Sequence, residues 1–215
     1  MKELSESWER LLNPESLKRN LVAAAVFLAA YEMLKDSMID RLRDFFSDDI
    51  MAESGSVTSP DYRVKVLSLH KKEMVACSLW FRNMGALAED DLKTLGEIAQ
   101  HRNFVAHQLP NVLGESGKDV SLERLAQILE LTSKVDRWWI REVEVPTNPD
   151  FDVNPPSPED LEQSFSSRMM IMALLIEVAG GDDSRLADLY SGAKAAFASR
   201  REEQLRSPKR EGDAA

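Results

Sequence analysis

Two of the chain's three histidines fall in one short stretch, His101-Arg102-Asn103-Phe104-Val105-Ala106-His107. An imidazole titrates near neutrality, and with a guanidinium nearby it is equipped to move protons during work on a phosphodiester. On a helix, Asn103 and His107 are four residues apart and share one ridge, offset by about 40°. Arg102 and His107 are five apart, about 140° round the helix, so they do not sit on a single face. A long arginine can lean into that gap, and two copies of the helix across a symmetry axis would bring both groups to one point. Pro110 pushes Leu109 out of helical geometry, which leaves His107 in the last turn. There the negative helix end favours imidazolium, while the Arg102 charge opposes it. Arg102, Asn103 and His107 are the catalytic candidates. His101 points about 100° away from Arg102 and reads as a surface residue.

Other chemistries find little support. There is no glycine-rich phosphate loop and no nucleophile elbow. Three histidines and one cysteine form no ligand-spaced cluster, so zinc is not expected, nor is any other metal or cofactor. Cys77 has no partner for an intrachain disulfide, which fits a reducing cytoplasm. Met1 to Asn13 is polar and mixed in charge, unlike a signal peptide. The apolar runs Leu21 to Ala30 and Met169 to Ile176 fall short of the ~20 residues a membrane span needs, so no membrane partner is expected. With 27 basic and 37 acidic residues the net charge is −10, which argues against broad nucleic-acid binding but leaves room for a small basic groove. The run His70-Lys71-Lys72 is the local source of such charge. Lys71 and Lys72 are the substrate-binding candidates if that run lines a groove beside the motif, and a solvated helix face otherwise.

The elements that must position these groups read as helices throughout, which makes the class all-α and the architecture an up-and-down bundle with additional C-terminal helices. Asn13-Pro14-Glu15 opens a long helix, about 50 Å, whose apolar seam runs Leu17, Leu21, Ala24, Leu28, Tyr31, Met38, Leu42 and Phe45. Glu32 interrupts that helix and is expected to snorkel or pair locally. After a loop from Ser47 to Pro60, a second helix is expected over Asp61 to Ala86 and a third over Glu89 to Gln108. A turn follows over Asn111 to Asp119, then a fourth helix from Ser121 to Arg141. Of the adjacent Trp138 and Trp139, one should face the core and the other could mark an interface. Glu142 to Val145 reads as a very short extended stretch. The domain boundaries that follow are a bundle over 1–145, a proline-rich loop over 146–158, a helical hairpin packing on the bundle over 159–205, and a flexible tail over 206–215. Within the hairpin, Met169 to Ile176 is apolar all round and is expected to be buried, its methionines as core filler.

The stretch Arg102-Asn103-Phe104-Val105-Ala106-His107 resembles the R-x4-6-H motif of the HEPN superfamily (higher eukaryotes and prokaryotes nucleotide-binding), in which a polar residue often follows the arginine. The resemblance covers these six residues, and beyond them an order of helices from about Asn13 to Arg141. It implies a HEPN-like bundle of four or five helices. The activity implied is that of a metal-independent endoribonuclease, commonly homodimeric, in a bacterial toxin–antitoxin or phage-defence system. RNA would be the substrate and an antitoxin or defence-system protein a possible partner. By the same resemblance His107 would exchange the proton of the ribose 2′-hydroxyl or of the leaving 5′-oxygen. Arg102 would stabilise charge on the phosphoryl oxygens, Asn103 would orient His107 or the phosphate, and the product would be a 2′,3′-cyclic phosphate. One branch of the family carries a tyrosine two residues after the histidine. Leu109 stands there in this chain, so a partner that modifies that tyrosine is not expected. A non-catalytic HEPN-fold module that binds a partner protein or nucleotide is the alternative. A helical adaptor of other ancestry is the third reading.

Overall fold

The computed structural model describes residues 6–47, 59–153, 155–162, 166–180, 184–192 and 194. Among the described residues every regular element is helical, and the protein is all-α. The organising element is α2 (Pro14–Phe45), preceded by the short α1 (Glu6–Leu12). Its start follows the local chemistry: the Asn13 side chain accepts from the amides of Glu15 and Ser16 at 3.0 and 3.1 Å, with Pro14 in the first turn where its missing N–H costs nothing. The seam that packs differs from the expected one. It runs through Asn20, Ala24, Phe27, Ala30, Leu34, Met38 and Leu42, while Leu21 and Phe45 are about half exposed. Five other helices crowd this one helix, so its buried stripe is wider than a two-helix seam and is centred one position earlier.

The expected second helix is broken into α3 (Pro60–Lys65), a 3₁₀ turn over Leu67–Leu69, and α4 (Glu73–Asn83). Ser59 caps α3 by accepting from the Tyr62 amide at 3.1 Å. His70 turns fully extended, and its Nδ1 accepts from the Lys72 amide at 3.0 Å, which closes a tight turn in place of a helical one. Tyr62 then fastens α3 to α4. Its hydroxyl donates to Glu73 at 2.9 Å and lies 3.3 Å from the Cys77 sulfur, and Arg43 of α2 grips the same Glu73 through two bonds. Burial pushes the Cys77 thiol up to about 11, so the lone cysteine is an inert core residue.

Helix α5 (Glu89–His107) matches its expected limits, and Pro110 falls in the first turn of a new short helix, α6 (Leu109–Gly114). That helix replaces the first half of the turn expected over Asn111 to Asp119; a proline that ends one helix is well placed to start the next. Ser121 caps α7 (Leu122–Trp139), its hydroxyl accepting from the Arg124 amide at 3.2 Å. The chain continues helically through a π-turn over Ile140–Glu144 into α8 (Val145–Thr147), so the extended stretch expected at Glu142 to Val145 is absent. The proline-rich segment carries the helical turns α8 and α9 (Asp150–Val153), and Pro158 opens α10 (Pro158–Glu162).

Helix α2 packs against α1, α4, α5, α6 and α7. Both Trp138 and Trp139 are buried, contrary to the expectation that one would face out. The last turn of α7 sits in an aromatic box, with Trp138 edge-on to Trp80 and Phe81, and Trp139 edge-on to Phe45. Arg41 lies over the Trp139 ring and pairs with Asp136, whose carboxylate also accepts from the Ser166 hydroxyl. Ser166 in turn caps α11 (Ser167–Ala179), accepting from the Met169 amide.

The apolar run in α11 is not buried all round: Met172 is fully enclosed, but Met170 and Ile171 are largely exposed. The chain divides into two compact units between Met172 and Ala173, within this helix. In the second unit residues 184–192 and 194 are helical, and Arg185 pairs with Glu177 at 3.0 Å. The end of the expected hairpin, residues 195–205, and the tail 206–215 lie outside the described residues. No helix among the described residues is long and apolar enough to cross a membrane.

Asp136 is the testable keystone. Removing one partner of a buried pair leaves the other charge uncompensated at a cost of about 3–5 kcal/mol. Asp136→Ala should therefore lose that much in urea unfolding, and Arg41→Ala a comparable amount.

Candidate functional site

The face of α5 turned to α2 is the stripe Ile98, His101, Arg102 and Val105, spaced three, four and seven residues from its first member. Ile98 and Val105 are fully buried in it. His101 is no surface residue. Its ring packs edge-on to Phe27 of α2 at 4.9 Å, and its Nε2 accepts from the Ser121 amide at 3.0 Å. That bond requires a neutral imidazole. Burial, together with the Arg124 charge, holds its pKa below the usual histidine value. His101 thus ties α5 to both α2 and the start of α7.

Arg102 extends from the same stripe. Its Nη2 donates to Glu32 of α2 at 2.7 Å, and its guanidinium carbon lies 5.4 Å from the centre of the Tyr31 ring. Its Nη1 reaches Asn103 Oδ1 at 3.4 Å, and its Nε is enclosed with no hydrogen-bond partner. Glu32 also pairs with Lys35 one turn along α2. The bond from Lys35 first, and that from Arg102 next, hold the Glu32 carboxyl below the usual range against a burial that opposes them, and Lys35 is raised in return. Burial raises Tyr31. The local pairing expected of Glu32 is present as its bond to Lys35. What sequence reasoning missed is its second partner, the motif arginine. The available signal was a lone acid beside Tyr31 on the helix that must pack against the motif.

Asn103 and His107 occupy the opposite, exposed ridge of α5. His107 is the last residue of the helix, and no side chain among the described residues bonds to its imidazole. A single chain therefore brings Asn103 beside Arg102 and onto the ridge of His107, but does not bring Arg102 and His107 onto one face. Lys71 and Lys72 are exposed in the link before α4, not on a helix face as expected; Lys72 stands immediately before α4 and makes no side-chain capping bond to it. Beside Tyr31 the surface opens into a cleft of about 130 Å³ between α2, α4 and α5. Among the described residues no group of three or more histidine, cysteine and acidic side chains is placed to hold a metal ion.

Comparison of the chain with protein-family profiles, with curated proteins and with solved structures returns no significant match.

The histidine assignment has a pH signature. A histidine whose folded pKa is depressed binds fewer protons folded than unfolded below its ordinary value near 6.5, so stability is greatest above that value and declines as pH falls through it toward the folded pKa. Urea unfolding from about pH 7.5 to 5 should show that decline. In His101→Gln, which keeps an acceptor for the Ser121 amide but cannot titrate, the slope should be shallower. Equal slopes would place the titration elsewhere.

Proposed function

We propose that the protein is a metal-independent endoribonuclease of HEPN type, acting as a homodimer in a bacterial toxin–antitoxin or phage-defence setting. The observation that carries this reading is the His107 imidazole, exposed at the end of α5 with no side-chain partner among the described residues, on the ridge of an asparagine that touches a tethered arginine. A catalytic base must be free to take a proton, and a group that stabilises charge must be held still; His107 and Arg102 divide those properties between them.

On this reading His107 of one copy takes the proton of the ribose 2′-hydroxyl. The 2′-oxygen attacks phosphorus, the bond from phosphorus to the 5′-oxygen breaks, and His107 of the second copy protonates the departing oxygen. Arg102 meets the charge on the non-bridging oxygens, and Asn103 orients the imidazole or the phosphate. A twofold axis beside α5 is needed because 140° of helix separates the two groups within one chain. The rate gain is drawn from positioning and electrostatics.

One feature favours the non-catalytic alternative, a module that binds a partner protein or nucleotide. Arg102 lies on the α2-facing stripe with its charge largely met by Glu32. Cleavage of RNA separates the two readings. Wild-type protein in excess chelator should cut RNA to ends bearing 2′,3′-cyclic phosphate. His107→Ala should fold normally and lose about 10²–10⁴-fold in rate, and Arg102→Ala about 10²–10³-fold. The growth inhibition caused by overexpression should be relieved by each. No cleavage by wild type, with neither substitution changing any phenotype, would leave the binding module.

A further inference from the structure

The cleft beside Tyr31 has a composition that the proposed cleavage chemistry does not use. It is walled by apolar side chains from α4 and α5, among them Met74, Leu79, Leu92 and Leu95, with two hydroxyls, those of Tyr31 and Ser78. The Ser78 hydroxyl donates to the Val75 carbonyl at 2.9 Å, so its oxygen retains lone pairs for an incoming donor. The Tyr31 hydroxyl has no hydrogen-bond partner among the described residues. Gly96, in the middle of α5, lines the cleft, and a Cβ built there meets nothing within 4 Å. A glycine inside a helix costs roughly 0.5–1 kcal/mol relative to alanine, and here that cost keeps space open in the cleft wall.

Size and surroundings select the occupant. A void of about 130 Å³ is close to the ~150 Å³ apolar cavity known to hold one benzene ring. The same Tyr31 ring that walls the cleft carries the Arg102 guanidinium 5.4 Å from its centre, and Lys35, which shares the Glu32 carboxylate with Arg102, also lies 4.0 Å from Asp36. An apolar slot for a single flat ring, with two hydroxyl-bearing residues in its lining and the Arg102 guanidinium over the ring of one of them, is complementary to a nucleotide. We infer that this cleft is a base-binding subsite for a pyrimidine nucleotide of RNA, seated between Tyr31, Ser78 and Gly96 with its phosphate on Arg102. The inference rests on the ribonuclease reading for its substrate class and adds to it the means by which the protein chooses where to cut. Ser78 accepts from the base, Tyr31 bonds its polar edge, and the ribose spans the width of the Tyr31 ring to reach the guanidinium.

Binding to the full chain tests it, with uridine and cytidine 5′-monophosphates as probes, ribose 5-phosphate as the base-free control, and saturation-transfer NMR or calorimetry as the readout. The pyrimidine nucleotides should bind at least about ten-fold more tightly than ribose 5-phosphate. Gly96→Leu and Ala99→Leu, each filling the slot, should erase that margin while leaving ribose 5-phosphate unaffected. A thermal melt certifies that each variant is folded. Adenosine and guanosine monophosphates, whose fused rings exceed the slot, should bind more weakly than the pyrimidines. Equal binding of wild type to nucleotides and to ribose 5-phosphate, or full nucleotide affinity in a folded Gly96→Leu, overturns the subsite. His107→Ala separates the two proposals, since it should abolish cleavage and leave nucleotide affinity intact. Nucleotide binding that depends on Gly96 in a protein that cuts no RNA would uphold the subsite and remove the ribonuclease.

Discussion

A single carboxylate, that of Glu32, holds two cations at the seam between α2 and α5, Lys35 from its own helix and Arg102 from the other. Everything proposed for this surface depends on that arrangement. Asp36 also lies 4.0 Å from Lys35, so two acids balance two cations here, and the Tyr31 ring beneath the guanidinium fixes its orientation. Of these four charged groups, the Arg102 guanidinium is the one held against a ring, and it is the group that the proposed anionic substrate would meet. The tether has a cost. It places Arg102 on the inward side of α5 while His107 stands on the outward ridge, and in the proposed mechanism a second copy of the helix supplies their convergence on one phosphate. The proposed dimer is therefore a geometric requirement of the chemistry.

The rest of the fold serves to keep α2 and α5 in register. His101, one residue from Arg102, is locked between Phe27 and the first amide of α7. At the other end of α2 the aromatic box around Trp138 and Trp139, with the Arg41–Asp136 pair beside it, joins α7 to α2 and α4. The Arg43–Glu73–Tyr62 cluster closes α3 and α4 onto the same helix. These contacts are long-range in sequence and centre on one 32-residue helix, so a change on α2 is felt across the first unit.

Local chemistry was readable from the residues alone. Asn13-Pro14, Ser121 and Pro110 mark helix limits by capping and by the missing proline N–H, effects that act within one turn. The class followed from the absence of alternating patterns. What could not be read is what depends on several neighbours at once. The α2 seam was displaced because five helices, not one, compete for its surface. The tryptophan pair is buried because a box of rings from α2 and α4 surrounds both faces of the last turn of α7. The break at His70 was hidden because the apolar spacing from Val64 to Phe81 is tolerable as one helix, and the imidazole-to-amide bond that favours the turn has no strong sequence mark. In the candidate site, the ridge shared by Asn103 and His107 follows from helix geometry, and both residues are exposed on it. The Glu32 partner of Arg102 comes from α2, and the half-buried setting of His101 comes from α2 and the start of α7; neither was visible without those helices.

The most direct measurement observes both groups while a phosphate arrives. An RNA oligonucleotide with 2′-deoxyribose at a cleavage position binds without being cut there, and its titration into ¹⁵N-labelled protein can be followed at the His107 imidazole and at the enclosed Arg102 Nε–H. A composite site predicts that both signals move together, with one dissociation constant, at a stoichiometry of two chains to one bound phosphate. Movement of only one of them, or one ligand per independent chain, would contradict it.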